Sequence, residues 1–299
     1  MNDCIIIKNV DKFYGKKQAL SDISLTIEKG MFGLLGRNGA GKTTLMKTLA
    51  ALHKKNSGEI TVCGVPVENA AEIRAMTGYL PQEFSMYPNM RTDEALDYLG
   101  ALSGMPSKLR KERVESLLKR VNLTEHRRKK VKELSGGMKR RLGIAQAIIH
   151  DPKVLIVDEP TAGLDPEERI RFRNLLCELA EDRIVLLSTH IVGDVEATCE
   201  KIAVMDSGRI LWKGTVSELI ENARGHVYTA NVEKRFLPQL KKEYIVTGML
   251  TQNDYTTVRI VSDPEPDLPN TVQTEPDLEG AYMYCLHSSG CDVTGGEDI

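Results

Sequence analysis

The sequence contains no apolar run long enough to cross a membrane. Apolar segments such as residues 154–157 and 184–187 fall far below the roughly 18–20 residues that a spanning helix needs. Residues 1–4 also lack the basic stretch and apolar core that begin a signal peptide. We therefore expect a chain that is not exported and that serves any membrane from its surface.

Cysteine is scarce and scattered. The chain has six cysteines, with no CxxC pair and no histidine cluster at metal-ligand spacing. We expect reduced thiols in a cytoplasmic protein. Cys285 and Cys291 are close enough in sequence to form a disulfide, but a redox role is the less favoured interpretation.

The chain also has little net charge. Its 40 Lys and Arg residues nearly cancel its 42 Asp and Glu residues, which leaves a formal net charge of -2. Because the overall balance is not basic, nucleic acid is not expected as a partner. The basic run at residues 126–130 could contact phosphate backbones or lipid headgroups, although a solvated loop is the preferred interpretation.

Apolar periodicity predicts strands and helices that alternate along most of the chain. Strands are predicted at residues 4–10, 24–28, 31–35 and 59–63, and a helix after Gly41 carries Leu45, Met46, Leu49 and Leu52. The block from about 68 to 150 is predicted to be a helical insertion, with helices at 70–76, 92–102, 108–121 and 135–150. Continuous apolar strands at 154–157 and 184–188, separated by a helix at 166–180, favour a buried parallel α/β sheet.

The C-terminal third is predicted to form a hairpin, a short helix opened by Thr215 and Glu218, and a small α+β appendage. The proline-rich residues 263–276 are predicted to be an extended loop. We predict a main domain at 1–224 with its helical subdomain at about 85–150, an accessory α+β domain at 225–289, and a disordered tail at 290–299.

The segment GRNGAGKT, residues 36–43, matches the GxxxxGK[ST] phosphate-binding loop. Glycines let successive backbone amides point at phosphate oxygens, Lys42 can reach the β and γ phosphates, and the Thr43 hydroxyl can ligate Mg²⁺. The following helix adds its positive end. Nucleotide contacts are predicted for Gly36, Asn38, Gly39, Ala40, Gly41, Lys42, Thr43 and Thr44, although this loop alone does not separate ATPases from GTPases or kinases.

Two further strands end in groups that suit phosphate chemistry. The apolar strand at 154–157 runs into Asp158 and Glu159, where Asp158 can hold Mg²⁺ and Glu159 can orient or deprotonate the attacking water. His190 closes the next buried strand. At the mouth of the same sheet, its predicted role is positioning near the γ-phosphate.

A second anion site is predicted at Leu134-Ser135-Gly136-Gly137-Met138, where a capping serine and two glycines precede a long helix. With this motif the sequence resembles the ABC ATPase family, whose signature is LSGGQ. The resemblance implies an α/β P-loop NTPase fold with a RecA-like core, an antiparallel β subdomain and an inserted helical subdomain. It also implies ATP sandwiched between the P-loop of one protomer and the signature of another, in a homodimer or heterodimer.

The resemblance assigns roles to four further residues. Tyr14 matches the aromatic that stacks on adenine, Gln82 the Q-loop residue near Mg²⁺, Asp165 the D-loop, and His190 the switch histidine. By the same resemblance, Lys42, Glu159 and His190 are the catalytic residues, and Ser135, Gly136 and Gly137 contact nucleotide. An integral membrane permease is the implied partner, with this chain on the cytoplasmic face of the membrane.

Two features narrow the family and one departs from it. LSGGMKRRL, residues 134–142, and the EPDLEGAY ending at 275–282 resemble a subgroup that serves ABC-2-type exporters of drugs, lantibiotics, sodium and polysaccharides. Met138 stands where glutamine is usual, which puts that side chain's contact in doubt, and Gly280 stands where an acid is common. Import remains open, because the preference for export depends on subgroup resemblance alone.

The alternative is a soluble ABC ATPase that acts on translation or DNA repair. The chain has one ATPase domain, where translation factors of the family have two. It also lacks the long coiled-coil insertion of repair ATPases. The transporter subunit is therefore the preferred hypothesis.

Overall fold

A computed structural model describes residues 3–252 and 255–293. In chain order, its strands are β1 (Cys4–Tyr14), β2 (Lys17–Glu28), β3 (Gly30–Leu35), β4 (Ser57–Val62), β5 (Val65–Pro66), β6 (Thr77–Leu80), β7 (Val154–Asp158), β8 (Ile184–Thr189), β9 (Lys201–Asp206), β10 (Arg209–Thr215), β11 (Val227–Glu233), β12 (Ile245–Gln252), β13 (Tyr255–Val261) and β14 (Val272–Gln273). Its α-helices are α1 (Lys42–Leu49), α2 (Ala70–Met76), α3 (Thr92–Leu102), α4 (Ser107–Arg120), α5 (Gly136–Ala147), α6 (Pro166–Ala180), α7 (Val192–Thr198), α8 (Val216–Asn222), α9 (Leu237–Glu243) and α10 (Leu278–Ser288).

The central sheet has six strands in the order β10-β9-β3-β8-β7-β6. Its members from β9 to β6 are parallel, and β10 pairs antiparallel at one edge. β7 and β8 are buried at every residue, as expected for apolar strands covered on both faces. The predicted parallel α/β sheet is confirmed, and β3, β7 and β8 end together at one edge, where ligands of such sheets bind.

An antiparallel sheet in the order β2-β1-β4-β5 lies beside the central sheet. Its inward residues, including Ile5, Leu20 and Ile60, form one core with α1 and one face of the central sheet. The helix α1 ends at Leu49, so Leu52, which was predicted to continue its apolar face, lies beyond it and is 50% exposed. The prediction for Leu52 was wrong because the chain turns at Ala51, whose φ is +52°.

The block from 68 to 150 is not wholly helical. Within it, α3, α4 and α5 pack against one another as predicted. However, β6 pairs in parallel with β7 at the edge of the central sheet. Four residues are too few to show strand periodicity, and the strand at Thr77–Leu80 was not predicted.

The C-terminal part contains a third sheet, in the order β12-β13-β11-β14. The sequence pattern missed the helix α10, which follows the proline-rich segment and begins at the cap Asp277, whose carboxylate accepts a hydrogen bond from the Gly280 amide. α10 packs against α7 and α8 and buries Leu278 and Ala281 in the core of the main body. The last helix therefore returns from the appendage to the main body.

The remaining predictions concern termini, thiols and membrane spans. Of the tail predicted to be disordered, residues 290–293 contact the main body and residues 294–299 lie outside the described residues. All six cysteines are unpaired. Across residues 3–252 and 255–293, no helix has both the length and the apolar character that a membrane crossing requires.

Candidate functional site

The P-loop joins the end of β3 to the start of α1. Gly39 and Gly41 have left-handed backbones, with φ of +82° and +105°, which favours glycine at both positions. At Gly36 a Cβ would overlap the carbonyl oxygen of Met205. The loop borders a cavity of about 690 Å³, lined by Tyr14, Lys17, Gln18, Ala19, Asn38, Gly39, Ala40, Gly41, Lys42, Thr43, Thr44, Gln82, Glu159, Ser207 and Gly208.

Of the three predicted catalytic residues, Glu159 contacts both Lys42 and His190. The Lys42 ammonium donates to the carbonyl oxygens of Gly36 at 2.7 Å and Arg37 at 3.0 Å, and it lies 3.1 Å from Glu159 Oε1. The other oxygen of Glu159, Oε2, is 2.8 Å from His190 Nδ1. An ammonium, a carboxylate and an imidazole thus meet at the ends of β3, β7 and β8.

The backbone of Glu159 is unusual, with φ of +45° directly after β7. Its amide donates to the carbonyl oxygen of Ser188 at 3.1 Å, which ties the turn to β8. A non-glycine residue in this region is strained, and such residues occur often at active sites. Here the turn directs the Glu159 carboxylate to Lys42 and His190 at the edge of the sheet.

Asp158 is fully buried, and its two oxygens differ in their partners. Oδ1 accepts a hydrogen bond from the Ser188 hydroxyl, whereas Oδ2 has no partner among the described residues. A buried carboxylate oxygen without a donor fits a cation or its bound water. No group of three His, Cys, Asp or Glu residues in the described chain could hold a metal, so a cation here would need oxygens from other groups, such as the hydroxyl of Thr43 and the amide of Gln82.

Tyr14 lines the cavity and is 46% exposed. Its hydroxyl is 2.6 Å from His53 Nδ1, and the Lys12 ammonium lies 5.0 Å from its ring centroid. Burial, and then the charges of Lys47 and Lys12, lower the pKa of His53. This shift favours the neutral imidazole, whose Nδ1 can accept a hydrogen bond from the Tyr14 hydroxyl and so orient the ring.

The second predicted anion site lies at the start of α5. Ser135 caps the helix by accepting a hydrogen bond from the Met138 amide at 3.2 Å. The Met138 side chain packs against the core, so a thioether suits this position by packing. A Cβ on Gly136 would meet open space, whereas one on Gly137 would lie 2.6 Å from Glu168 Oε2.

Asp165 caps α6 by accepting a hydrogen bond from the Glu168 amide at 2.9 Å. Within the described residues, Ser135, Gly136, Gly137 and Asp165 are not among those that line the P-loop cavity. One chain therefore brings the P-loop, Gln82, Glu159 and His190 together, while its signature residues form a separate surface.

Two residues that connect these motifs, Arg140 and Arg141, were not identified from the sequence. The buried Arg141 donates to the carbonyl oxygens of Val121 and Asn122, and its Nε lies 3.2 Å from Glu168 Oε2. Arg140 donates to the Pro81 carbonyl oxygen beside Gln82. Burial lowers the pKa of Arg140, although the charges of Asp158 and Glu159 raise it. The paired arginines in LSGGMKRRL were the available signal.

Comparison with known proteins gives consistent matches. The family model described as ABC transporter matches residues 20–162. The uncharacterised ABC transporter ATP-binding protein YxlF of Bacillus subtilis is 37% identical over 83% of this chain and 83% of its own length. The Nod factor export ATP-binding protein I of Burkholderia lata is 37% identical, over 88% and 87% of the two chains. The linearmycin resistance ATP-binding protein LnrL of Bacillus subtilis is 37% identical, over 73% and 71%.

Solved structures agree with the fold. The cbiO1 protein of Clostridium perfringens, part of the ABC transporter complex cbiONQ, superposes with a TM-score of 0.68 at 28% identity over 74% of this chain and 92% of its own. A bacterial ABC transporter cassette solved as a dimer superposes with a TM-score of 0.65 at 25% identity, over 71% and 98%. These structures cover the nucleotide-binding core rather than the whole chain.

Proposed function

This chain belongs to the ATP-binding proteins of ABC transporters and is an ATPase, and from that membership we propose that it powers export through a separate ABC-2-type membrane permease. The proposal that this chain hydrolyses ATP at this site is supported by one observation: Glu159 contacts both Lys42 and His190 beside the P-loop cavity. The direction of transport is supported by relatives named for Nod factor export and linearmycin resistance.

Each catalytic residue has a proposed role that its contacts support. Lys42 neutralises charge on the β and γ phosphates, because its ammonium lies within the loop that supplies the backbone amides. Glu159 orients or deprotonates the attacking water. His190 holds the Glu159 carboxylate from the opposite side. Catalysis is then mainly positioning and charge stabilisation.

Mg²⁺ is the proposed metal. Asp158, through the oxygen that has no protein partner, together with Thr43 and Gln82 at the cavity wall, would hold it. When bound with ATP, the ion supplies positive charge to the phosphate oxygens. Carboxylate, hydroxyl and amide oxygens are the donors that this cation prefers.

A dimer is the proposed working unit, either with a second copy or with another ATP-binding subunit. The separation of the signature from the P-loop cavity supports this proposal, because Gly136 faces open space at the start of α5, where backbone amides suit a phosphate outside their own chain. The dimeric cassette that this chain resembles is a further support.

The permease is proposed to dock through an apolar segment in a cleft between the central sheet and the helical subdomain. Cavities of about 590 and 340 Å³ share Arg74, Leu102, Ser103, Ile149 and His150 in their walls. Leu102 at the end of α3 is 65% exposed and offers apolar surface at this cleft. Thr77 and Tyr79 of β6 also line the cleft, and Gln82 lies two residues after β6, so the strand connects the proposed docking cleft to the nucleotide site. We also propose that the chain lies on the cytoplasmic face of the membrane.

The test is purification of tagged wild-type protein and the Glu159→Gln variant from detergent-solubilised native membranes. We expect both to bring down a polytopic membrane protein. The variant should retain ATP in a closed dimer and hydrolyse it at least about 100-fold more slowly, because general base catalysis is lost while the charge-neutral amide keeps the binding surface. Turnover, bound nucleotide and co-purified proteins are measured on the same samples.

The matched control is Glu167→Gln on α6, which removes an exposed carboxylate paired with Arg171 and should keep wild-type turnover. If Glu159→Gln hydrolysed ATP at the wild-type rate, Glu159 would not be the residue that orients or deprotonates the attacking water. Recovery of ribosomes or DNA in place of a membrane protein would favour the soluble alternative in translation or repair.

A further inference from the structure

Arg37, the second residue of the P-loop, contacts two distant parts of the chain. Its Nε donates to Asp206 Oδ1 at 3.0 Å, at the end of β9. Its Nη1 donates to the backbone carbonyl oxygen of Asp292 at 2.9 Å, across 255 residues of sequence. The fork of the guanidinium group therefore joins the P-loop, the central sheet and the C-terminal segment, defined here as residues 289–293.

Asp206 contacts both Arg37 of the P-loop and Cys291 of the C-terminal segment. It is 5% exposed, it accepts a hydrogen bond from the Ser207 hydroxyl at 2.8 Å, and Cys291 Sγ lies 3.6 Å from its Oδ2. Burial raises the pKa of Asp206, but the hydrogen bonds from Arg37 and Ser207 outweigh it and hold that pKa below its usual value. Arg37 and Asp206 are therefore both charged at neutral pH.

The C-terminal segment is itself held at both ends. The Cys291 amide donates to the Leu286 carbonyl oxygen at 3.0 Å, which folds the segment back on α10. Tyr282 and Leu286 of α10 are buried in the ATPase core, whereas Val293 packs with Val227, Ile245 and Val261 of the appendage. The Asp292 carbonyl oxygen is thus fixed relative to the central sheet and to the appendage.

The contacts of Arg37 lead directly to the catalytic cluster. Its own carbonyl oxygen accepts from the Lys42 ammonium at 3.0 Å, and Lys42 is the residue paired with Glu159. Holding the Arg37 side chain therefore restricts the peptide that holds Lys42. A loop ordered before binding loses less conformational entropy when it closes on a ligand.

We infer that Arg37 is a positioning residue for ATP binding, and that the C-terminal segment and Asp206 hold it in place. This inference rests on the proposed role of the P-loop. It assigns the C-terminal segment a function in ATP affinity. This segment fixes Arg37 of the P-loop and does not itself contact ATP.

The experiment measures KM for ATP and kcat separately in the full-length protein. Arg37→Ala should raise KM about five- to tenfold, the effect expected for the loss of charge-assisted hydrogen bonds, and leave kcat within about twofold. Arg37→Lys keeps the charge but not the fork, and should recover part of the loss. Ending the chain after Gly290 should raise KM in the same direction.

A double-mutant cycle tests the pairing. If Asp206 acts by holding Arg37, Asp206→Ala should raise KM in the wild type but add little in the Arg37→Ala background. The matched control is Arg209→Ala, which removes an exposed arginine at the start of β10 and should change neither KM nor kcat. Thermal unfolding of each variant shows whether it is folded.

An unchanged KM in Arg37→Ala would overturn the inference, whether or not kcat falls. Fully additive effects in the cycle would overturn it as well. If Arg37→Ala does not fold, Arg37→Lys and the chain ended after Gly290 decide the question by the same KM readout. Failure of the catalytic proposal would be seen in Glu159→Gln, which leaves the contacts of Arg37 intact, so the two outcomes can be distinguished.

Discussion

At the scale of single residues, Gly136 and Gly137 are neighbours in sequence with opposite surroundings. Gly136 faces open space, whereas Gly137 lies against the Glu168 side chain, whose carboxylate is paired with Arg141 and Arg171. Gly137 is thus required by the packing of its own chain. Gly136 is free of that requirement, and its lack of a side chain suits the approach of a ligand.

We predict that Gly137→Ala lowers the free energy of unfolding by about 1–2 kcal/mol, because the added methyl group displaces Glu168 from its ion pairs. Gly136→Ala should change stability by no more than about 0.5 kcal/mol and still reduce ATP hydrolysis. Denaturant unfolding and ATP turnover, measured on both variants, check the two effects. Equal destabilisation by the two substitutions would contradict this difference in surroundings.

Local motifs predicted the P-loop residues and Glu159 in this cavity, but not Lys17, Gln18, Ala19, Ser207 and Gly208, which also line it. The glycine spacing predicted the loop, and the ends of apolar strands predicted Glu159 and His190, which the structure brings into contact. Their roles in catalysis stay predictions until they are tested. Arg37 could not be singled out, because its partner Asp292 is 255 residues away and contributes a backbone atom that no side-chain pattern reveals.

At the scale of elements, Arg141 joins three helices. It lies on α5, donates to the carbonyl oxygens of Val121 and Asn122 just after α4, and pairs with Glu168 on α6. Arg141→Leu would leave these carbonyl oxygens without their donor and the largely buried Glu168 carboxylate with only the exposed Arg171 as its partner. The helix α5, which carries the signature, would lose its main polar attachment to both neighbours.

We predict that Arg141→Leu lowers the free energy of unfolding by about 3–5 kcal/mol, the cost of removing one member of a buried ion pair. Arg171→Leu, which removes the exposed partner of the same Glu168, should cost no more than about 1 kcal/mol. Guanidinium unfolding curves of the two variants provide the comparison. A loss below about 1 kcal/mol for Arg141→Leu would show that the neighbouring helices do not depend on it.

Some helices and strands could be predicted from the sequence and others could not. α2, α3 and α6 begin and end where the sequence pattern predicted, and at α6 the cap Asp165 and the following proline mark the start. β6 and α10 were missed. β6 is a strand only because β7 offers it backbone partners, and α10 gains its stability from burial against α7 and α8, so tertiary contacts decide both.

At the scale of the whole molecule, stability should depend on pH through His150, which lies where the helical subdomain meets the central sheet. Its Nε2 is buried without a hydrogen-bond partner among the described residues. Burial lowers the pKa of His150 below its usual value, although a backbone contact with Thr77 opposes the shift. The unfolded chain therefore binds a proton at a pH where the folded chain does not.

We predict that stability is fully present above pH of about 6.5 and decreases as the pH falls from there towards the lowered pKa of His150. His150→Asn should reduce this dependence between about pH 7.5 and 5.5. The matched control, His287→Asn, removes an exposed imidazole on α10. Unfolding free energies at the two pH values decide the matter, and an unchanged slope in His150→Asn would exclude His150 as the source.

The division of the chain into units was the feature least accessible from sequence. The boundaries proposed at 224 and 289 stay predictions. Composition gave no indication that α10 would pack in the ATPase core while Val293 reached the appendage sheet. Such contacts join residues far apart in the chain, and local periodicity carries no information about them.

The contact between Arg37 and the Asp292 carbonyl oxygen can form only late in the synthesis of the protein. Arg37 is made early, and its partner follows 255 residues later. At about 5–20 residues per second, synthesis of the intervening residues takes roughly 10–50 s, so the P-loop is made well before this contact can form. Every residue of the catalytic cluster is therefore translated before the segment that holds the loop, so a nascent chain can acquire its fold before it acquires full affinity for ATP. Because Cys291 and Asp292 contact Asp206 and Arg37, a tag at the N-terminus is the better choice for measuring ATP binding.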